Sequence, residues 1–454
     1  MEKVLHKVYK KVGIKSNRTK NITKHVLLSS LFKLGSIISS FLLVPLTITY
    51  LDAENYGIWL TLSSFIAWFS FFDIGLGNGL RNKFAEAKAK GDMTLARGYV
   101  SSAYFTIGSV SLCLILIFFG LNFFINWASF FNAPLSLQKD LMILMPIVFG
   151  FFCLQLVVKL IATIYTADQE NSMQEKFNFF TQAGSLVLIW IMTKTSESSL
   201  LIFGIIFSSF PFFILLGLNL FAFNRRYKLI KPSISLWKKV YLKPIFGLGF
   251  RFFLIQISGL IIFSTDSLII SKMVSPVEVV PYQIAFKYFS ITTMIFTILS
   301  SPYWSGFTEA IVKDDKYWVN NSLKILIKIS FLFIFGVLVL LVFSSWLYKF
   351  WIGDKVHIPI SLSVLMAVYF IMSLLITPFT IFINATGKVY LQTCQSIFSA
   401  LINIPLSIFF VKYYNMGSSG VILGTIISLL PSLLLAPLQT WKINKSSSNK
   451  LYNK

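Results

Sequence analysis

Residues 26–50 read VLLSSLFKLGSIISSFLLVPLTITY, a run of apolar and small side chains in which Lys33 is the only charge. A helix needs roughly 20 such residues to cross the ~30 Å hydrocarbon core of a bilayer. The sequence therefore predicts an all-α, polytopic membrane protein with about twelve transmembrane helices. The spans lie at about 26–50, 56–72, 99–121, 141–165, 177–193, 199–223, 247–271, 279–302, 325–345, 358–383, 389–411 and 418–441.

The composition of the whole chain fits only the membrane class. The 454 residues are 56% hydrophobic and 13% charged, with a mean hydropathy of +0.75, whereas a soluble domain is roughly 45–50% apolar. Lys and Arg number 40 against 17 acids, for a net charge of +23. These cations cluster in short loops between apolar spans. We therefore expect the lipid bilayer and its anionic headgroups as partners, and no nucleic acid.

The loop cations also predict the orientation of the chain. Loops on the side of the N-terminus carry thirty Lys and Arg, and the opposite loops carry six. Because positively charged loops stay in the cytoplasm, we predict that both termini are cytoplasmic. The first 25 residues are basic and have no apolar core, so they are expected to form a cytoplasmic tail and not a signal peptide.

The sequence contains an internal repeat. Phe84-Ala85-Glu86-Ala87 matches Phe307-Thr308-Glu309-Ala310 at an offset of 223 residues, and a Lys/Asp-rich stretch follows each. Phe32-Lys33-Leu34-Gly35 similarly resembles Phe246-Gly247-Leu248-Gly249. Two six-helix halves of one topology would be parallel repeats. The predicted divisions are a basic tail (1–25), an N-terminal six-helix bundle (26–223), a basic cytoplasmic linker (224–246), a C-terminal six-helix bundle (247–441) and a cytoplasmic tail (442–454).

Apart from Lys328 at the edge of the ninth span, which is counted with the adjoining loop, four cations lie inside predicted spans. A charge there costs at least ~3 kcal/mol and usually faces a polar cavity. All four have the same sign, so we expect a cavity that binds an anionic substrate. Arg251 and Lys159 lie near span ends, where their long side chains could instead reach the membrane surface. The predicted substrate-binding cations are Lys33, Lys159, Arg251 and Lys287.

Other polar residues within or beside the spans allow two interpretations each. Asp266 is the only acid well inside a span, and it could pair with a lysine or carry a coupling proton. Asp73 and Arg81 flank the glycine-rich end of the second span as coupling or ion-pair candidates. Four glutamines could bind sugar hydroxyls or form helix–helix hydrogen bonds worth ~0.6 kcal/mol each. They are Gln182, Gln256, Gln392 and Gln395.

Nothing in the sequence predicts catalysis or a cofactor. The stretch Gly75-Leu76-Gly77-Asn78-Gly79 lacks the preceding strand that a nucleotide-binding loop requires. Neither a Walker loop nor a metal-ligand motif is present. We therefore expect a protein that is not an enzyme and that holds neither a metal nor another cofactor.

The segment from residue 50 to 92 resembles a known family. Its Tyr56-Gly57-Ile58-Trp59 start and its Phe72-Asp73-Ile74-Gly75-Leu76-Gly77-Asn78 end are similar to those of the polysaccharide-biosynthesis flippases. These form the O-antigen, or Wzx-type, branch of the MATE-like multidrug/oligosaccharidyl-lipid/polysaccharide (MOP) transporter superfamily. Twelve spans and two six-helix halves extend the resemblance over nearly the whole chain.

The resemblance implies a transport function at the bacterial inner membrane. Such a protein flips undecaprenyl-diphosphate-linked oligosaccharide repeat units to the periplasmic face, by alternating access through a cationic cavity between two bundles. It serves the biosynthesis of O-antigen, and hence lipopolysaccharide, or of a similar surface polysaccharide, beside polysaccharide polymerase and chain-length proteins. The lipid tail is expected to stay in the bilayer, without a dedicated pocket.

Three alternatives remain open at this stage. A multidrug or cation antiporter of the same superfamily would favour intramembrane acids, whereas this chain has one deep acid against four cations. A cell-wall lipid flippase would differ in substrate only. A membrane-bound polysaccharide polymerase or ligase usually needs a sizeable outward loop, and the longest outward candidate here, about 122–140, is short.

Overall fold

The computed structural model describes residues 17–168, 170–246, 250–312 and 314–449. Within these ranges all regular secondary structure is helical, which confirms the predicted all-α class. The helices of the first half are α1 (Asn17–Ala67), α2 (Phe71–Ala89), α3 (Met93–Asn122), α4 (Trp127–Phe131), α5 (Gln138–Val158), α6 (Leu160–Ala167), α7 (Asn171–Thr195) and α8 (Leu200–Asn224). Those of the second half are α9 (Lys239–Phe246), α10 (Phe250–Met273), α11 (Pro276–Val312), α12 (Lys316–Val342), α13 (Ser344–Ile352), α14 (Ile360–Thr386), α15 (Tyr390–Tyr414) and α16 (Gly417–Asn449). Short 3-10 turns lie at Trp68–Ser70, Leu135–Leu137, Lys228–Ile230, Ile234–Leu236 and Gly353–Lys355.

Eight helical segments of the described chain are long and apolar enough to cross a membrane. One of them, Leu28–Ala67, contains nearly all of the first predicted span and most of the second, with a bend between them. At this bend Asp52 has a φ of 66°, and its carboxylate accepts hydrogen bonds from the backbone and side-chain nitrogens of Asn55 at 2.9 and 2.8 Å. The helices α7 and α11 contain the fifth and eighth predicted spans, and α10 contains the described part of the seventh. The protein is thus a multi-pass membrane protein.

The chain divides into two compact units. Unit 1 comprises Met1–Leu51, Ser70–Ala128 and Pro134–Phe250, and unit 2 comprises Asp52–Phe69, Ser129–Ala133 and Arg251–Lys454. Two segments from the first half of the sequence therefore pack with the second half. The division predicted from the repeat, at 26–223 and 247–441, stays a prediction.

The predicted repeat recurs as a repeated turn, once in each unit. In unit 1 the Asp92 side chain caps α3 by accepting a hydrogen bond from Leu95 N at 2.8 Å. In unit 2 the Asp315 side chain caps α12 by accepting one from Trp318 N at 2.9 Å. The residue before each cap has a positive φ. Such caps satisfy amide groups that the first helical turn leaves without partners.

The core of each unit follows the same 223-residue offset. In unit 1 the buried residues Phe84, Ala87, Ala96 and Ala103 belong to one apolar cluster. The residues 223 positions later are buried in one cluster of unit 2. They are Phe307, Ala310, Val319 and Leu326. The match of turn and core supports two halves of related structure.

Unit 2 contains a close seam between α1, α4, α10 and α11, which we call the α1–α11 seam. A Cβ atom added to Gly57 would lie 1.8 Å from the carbonyl oxygen of Pro276, so two backbones touch there. Beside it, Asn132 Nδ2 donates a hydrogen bond to the carbonyl oxygen of Ser271 at 3.0 Å. The ammonium group of Lys272 donates to the carbonyl oxygen of Ser129 at 2.6 Å. The seam therefore joins segments of the first half to the start of the second half.

An ionic cluster lies at one end of unit 1. The Asp168 carboxylate is 3% exposed and lies 2.6 Å from the ammonium group of Lys88. It also accepts a hydrogen bond from the Tyr227 hydroxyl at 2.9 Å, and Arg226 pairs with Glu170 at 2.7 Å. The cluster ties together the ends of α2, α6 and α8.

Candidate functional site

A polar cavity of about 480 Å³ lies within unit 1, and we call it the unit-1 cavity. Four amide side chains, two hydroxyl groups and one ammonium group contribute to its walls, and none of the described residues that line it is acidic. The lining comes from α1, from the α5–α6 junction, from α7 and from α8. It consists of Ser36, Gln155, Lys159, Ala162, Gln174, Phe177, Asn178, Thr181, Gln182, Pro211 and Leu215.

Lys159 lies at a local break in the helical hydrogen-bond pattern of the fourth predicted span. Helix α5 ends at Val158 and α6 begins at Leu160, but Lys159 itself keeps helical φ and ψ angles of −64° and −22°, and Leu135–Ala167 forms one candidate membrane span. A helix break leaves carbonyl groups that need other partners. The buried side chain of Asn219 on α8 donates a hydrogen bond to the carbonyl oxygen of Val158 and accepts one from the Tyr104 hydroxyl at 2.8 Å. Lys159 itself is exposed at this junction.

Helix α7 supplies most of the polar wall. Gln174, Asn178 and Thr181 follow one another at helical spacings of four and three residues and line the cavity, so they share one face of the helix. The buried hydroxyl oxygen of Thr181 has no hydrogen-bond partner among the described residues. Gln182 is partly buried on the same wall. This face offers hydrogen-bond donors and acceptors to a polar ligand.

The structure brings together two of the predicted substrate-binding residues, Lys159 and Gln182, in this cavity. Lys33 is partly buried on α1 and is not among the lining residues, although Ser36, one turn further along, is. Lys287 is partly buried on α11 in unit 2. The side chains of Arg251, Gln256 and Asp73 lie outside the described residues. Arg81 is exposed on α2.

Gln392 and Gln395 meet in a smaller cavity of about 120 Å³ within unit 2. The Gln395 amide donates a hydrogen bond to the Ser399 hydroxyl at 2.8 Å. The amide oxygen of Gln392 is buried without a hydrogen-bond partner among the described residues. Further hydroxyl and amide groups line this cavity, from Thr380, Ser396, Ser432 and Gln439.

Asp266 is fully buried in unit 2. Its Oδ2 accepts a hydrogen bond from the Tyr282 hydroxyl and lies 3.5 Å from the Thr425 hydroxyl. Asn403 Nδ2 in turn donates to Thr425 Oγ1 at 2.9 Å. Asp266 Oδ1 and Asn403 Oδ1 are buried without hydrogen-bond partners among the described residues. The described partners of Asp266 are thus hydroxyl groups, and its role in ion pairing or proton coupling stays a prediction.

Several residues of these sites were not singled out from the sequence. Ser36, Asn178 and Thr181 in the unit-1 cavity, and Asn403 and Thr425 beside Asp266, are neutral and common in membrane helices. The signal that could have found them is the spacing of polar residues along one helix face, as in Gln174, Asn178 and Thr181.

Comparison with solved structures defines the fold family. The inward-facing form of a multidrug resistance MATE family transporter of the MOP superfamily matches with a TM-score of 0.73 at 14% identity, covering 93% of this chain and 96% of that one. A MOP superfamily transporter from Pyrococcus furiosus matches with a TM-score of 0.61 at 15% identity, covering 94% and 96%. The chain therefore has the MATE-like fold of MOP superfamily transporters.

Proteins similar in sequence indicate which branch of these transporters the chain resembles. A protein of Yersinia pseudotuberculosis provisionally named O-antigen export protein is 24% identical over 409 residues, covering 88% of this chain and 90% of the relative. A protein of Salmonella typhi provisionally named O-antigen transporter is 23% identical over 429 residues, covering 90% and 94%. No family model matches the chain. The predicted resemblance to the O-antigen branch of the MOP superfamily is thus confirmed.

Proposed function

We propose that this protein is a flippase that moves undecaprenyl-diphosphate-linked oligosaccharide repeat units, of O-antigen or a similar surface polysaccharide, from the cytoplasmic to the periplasmic face of the bacterial inner membrane. The observation that carries the proposal is the unit-1 cavity, which combines one cation with four amides and has no acid among its described lining residues. The names of the sequence relatives support it. Both termini are proposed to be cytoplasmic.

The chemistry of the cargo explains why the cavity has this lining. A diphosphate that bears several sugars cannot cross the bilayer alone, because burying its charges and hydroxyls without partners is prohibitive. An ammonium group offsets negative charge, and amide groups donate to and accept from sugar hydroxyls. A cationic multidrug substrate would instead favour an acidic lining.

The membrane potential gives export a direction. The diphosphate carries about two negative charges, and the cytoplasm is electrically negative. At ~2.3 kcal/mol per charge per 100 mV, moving them outward is downhill by ~5 kcal/mol per 100 mV. The protein therefore mainly lowers the barrier, and ATP is not required.

The remaining predicted binding residues belong to the proposal as well. The cations supply positive charge along the path, and the glutamines meet sugar hydroxyls. Asp73 and Arg81 stay candidates for coupling or ion pairing at a helix end. The proposed set is Lys33, Lys159, Arg251, Lys287, Gln182, Gln256, Gln392 and Gln395.

Neutralising Lys33 and Lys287 together, as Lys33→Gln and Lys287→Gln, should lower flipping by at least ~10-fold, since each charge-assisted hydrogen bond to the cargo is worth ~1.5–3 kcal/mol. Membrane abundance should not change. Lys349→Gln, at a side chain that is 72% exposed, is the matched control and should behave as wild type. Full activity of the double variant would remove both residues from the substrate path.

The Asp266 site is proposed to bind a coupling proton or monovalent cation, because such an ion would satisfy its free carboxylate oxygen. If a proton binds there, Asp266→Asn should abolish any pH dependence of transport while leaving the fold intact. Asp354→Asn, at a side chain that is 83% exposed, should keep the wild-type pH profile. An unchanged profile in Asp266→Asn would exclude proton coupling at this residue.

The proposed function itself is tested in cells that lack this gene. Lipid-linked glycans are extracted, and the membrane face on which they accumulate is determined. Single complete repeat units on the cytoplasmic face, relieved by the wild-type gene, are the expected result. Accumulation on the periplasmic face would favour a polymerase or ligase. Sensitivity to cationic drugs without any accumulation would favour the antiporter.

A further inference from the structure

Helices α1 and α7 enclose an apolar groove of about 370 Å³ within unit 1, which we call the α1–α7 groove. Val187 and Trp190 on its α7 side are 54% and 55% exposed, and Leu42 on its α1 side is 49% exposed. The groove is therefore open at the surface of the unit. It is lined by Leu42, Pro45, Leu46, Thr49, Leu186, Val187 and Trp190.

Besides the indole N–H of Trp190, the groove has one polar side-chain group, and that group is already used. Thr49 carries its only side-chain hydroxyl, and that hydroxyl already donates to the carbonyl oxygen of Pro45 at 2.7 Å. None of the described lining residues is charged. The groove therefore accepts a hydrocarbon chain and not a sugar or phosphate.

The groove lies further along the same two helices, α1 and α7, than the unit-1 cavity does. On α1 the cavity is lined by Ser36 and the groove begins at Leu42, six residues or ~9 Å further along. On α7 the cavity reaches Gln182 and the groove begins at Leu186, four residues or ~6 Å further. The lining residues of a polar compartment and of an apolar compartment thus follow one another along the same pair of helices.

The ends of the helix pair decide where a chain can leave the cavity. Before the cavity residue Ser36, the helices touch, because a Cβ added to Gly35 would lie 2.7 Å from the Phe179 ring. Beyond the groove they are joined again, where the Tyr50 hydroxyl donates to the carbonyl oxygen of Glu197 at 2.8 Å. The groove lies between these two contacts.

From this continuity we infer that the α1–α7 groove binds the isoprenoid chain of the lipid-linked cargo while the unit-1 cavity holds its polar head. The inference rests on the proposed function and deepens it. It differs from the sequence-based expectation that the tail stays in the bilayer without a dedicated pocket. A ligand with a polar head and a long apolar chain matches both compartments at once.

Photocrosslinking of the full-length protein tests the inference directly. A benzoylphenylalanine is placed at Val187 or Leu46, or at the control position Leu116 on α3, which is 64% exposed. The protein is reconstituted in phosphatidylethanolamine–phosphatidylglycerol nanodiscs with radiolabelled undecaprenyl diphosphate. We expect at least ~10-fold more labelling at Val187 and Leu46 than at Leu116, and competition by unlabelled undecaprenyl diphosphate but not by inorganic diphosphate. Equal labelling at all three positions would mean that the groove holds bilayer lipid only and would overturn the inference.

Transport in cells separates this inference from the proposed function. Leu46→Trp fills the groove and should reduce flipping by at least ~10-fold, whereas Leu116→Trp should leave it unchanged. Normal flipping by a folded Leu46→Trp protein would overturn the tail site, while cytoplasmic-face accumulation in deletion cells would still support the flippase. Absence of accumulation in deletion cells would overturn both.

Discussion

Replacing Gly57 by alanine should destabilise unit 2 and reduce transport by at least ~10-fold. A Cβ at this position would lie 1.8 Å from the carbonyl oxygen of Pro276 and 2.5 Å from its carbonyl carbon. Both are backbone atoms, so no side chain can rotate to make room. Overpacking a core costs ~1–3 kcal/mol even where side chains can adjust, and here α1 and α11 must separate. The measurements are thermal unfolding of the purified protein and flipping in cells.

Gly336 on α12 provides the matched control. It lies in the same unit, and a Cβ added there meets no atom within 4 Å. Gly336→Ala should therefore be as stable and as active as wild type. A Gly57→Ala protein with wild-type melting temperature and flipping would show that the seam tolerates separation and contributes little to stability or transport.

We expect Gly57→Ala to affect transport because of the segments that the α1–α11 seam joins. Residues 52–69 and 129–133 belong to the first half of the sequence but pack in unit 2. Under the proposed alternating access, contacts between the halves form and break during each cycle. The seam packs by backbone contact at Gly57 and by hydrogen bonds such as Asn132 to Ser271. A side chain that forces α1 away from α11 would separate these segments from their packing partners, so we expect transport to fall together with stability.

The fold was largely predictable because a membrane-spanning helix needs a run of ~20 apolar residues. Such a run can be recognised in the sequence without knowing how the helices pack. The motif around Phe84 and its counterpart at Phe307 also predicted a repeat, which the structure shows as a shared turn and core. The breaks were not predictable. At Asp52 a positive φ separates two spans within one run of helix, and at Lys159 an asparagine on another helix binds the carbonyl oxygen that is freed at the break.

Residues of the candidate site were predictable only where one residue is unusual by itself, as a charged residue within an apolar span is. A lysine or carboxylate within an apolar span is costly wherever it lies, so Lys159 and Asp266 stood out. The role of the neutral members, such as Ser36 and Thr181, becomes visible only when helices α1 and α5–α8 place them around one cavity. The α1–α7 groove was hidden for the same reason, since its apolar residues look like any lipid-facing surface.

Reversing the charge of Lys159 should have the largest effect on transport of any single change in the unit-1 cavity. Lys159 is the only cation among the described lining residues, and Lys159→Glu would place a carboxylate beside an anionic cargo. The loss of a charge-assisted hydrogen bond alone is worth ~1.5–3 kcal/mol, or at least ~10-fold in transport rate, and repulsion adds to it. Lys159→Gln, which removes the charge without reversing it, should give an intermediate rate.

The abundance of the variant protein and a control variant distinguish an effect of Lys159→Glu on transport from misfolding. The Lys159 side chain is exposed at the α5–α6 junction, and the break itself is stabilised by Asn219, so Lys159→Glu should keep wild-type abundance and melting temperature. Lys194→Glu, at an exposed position in the last turn of α7 outside the cavity, should flip normally. The rates are measured as relief of repeat-unit accumulation in deletion cells. The order wild type, Gln, Glu is the signature of an electrostatic role, because a steric role would make the glutamine and glutamate variants alike in rate.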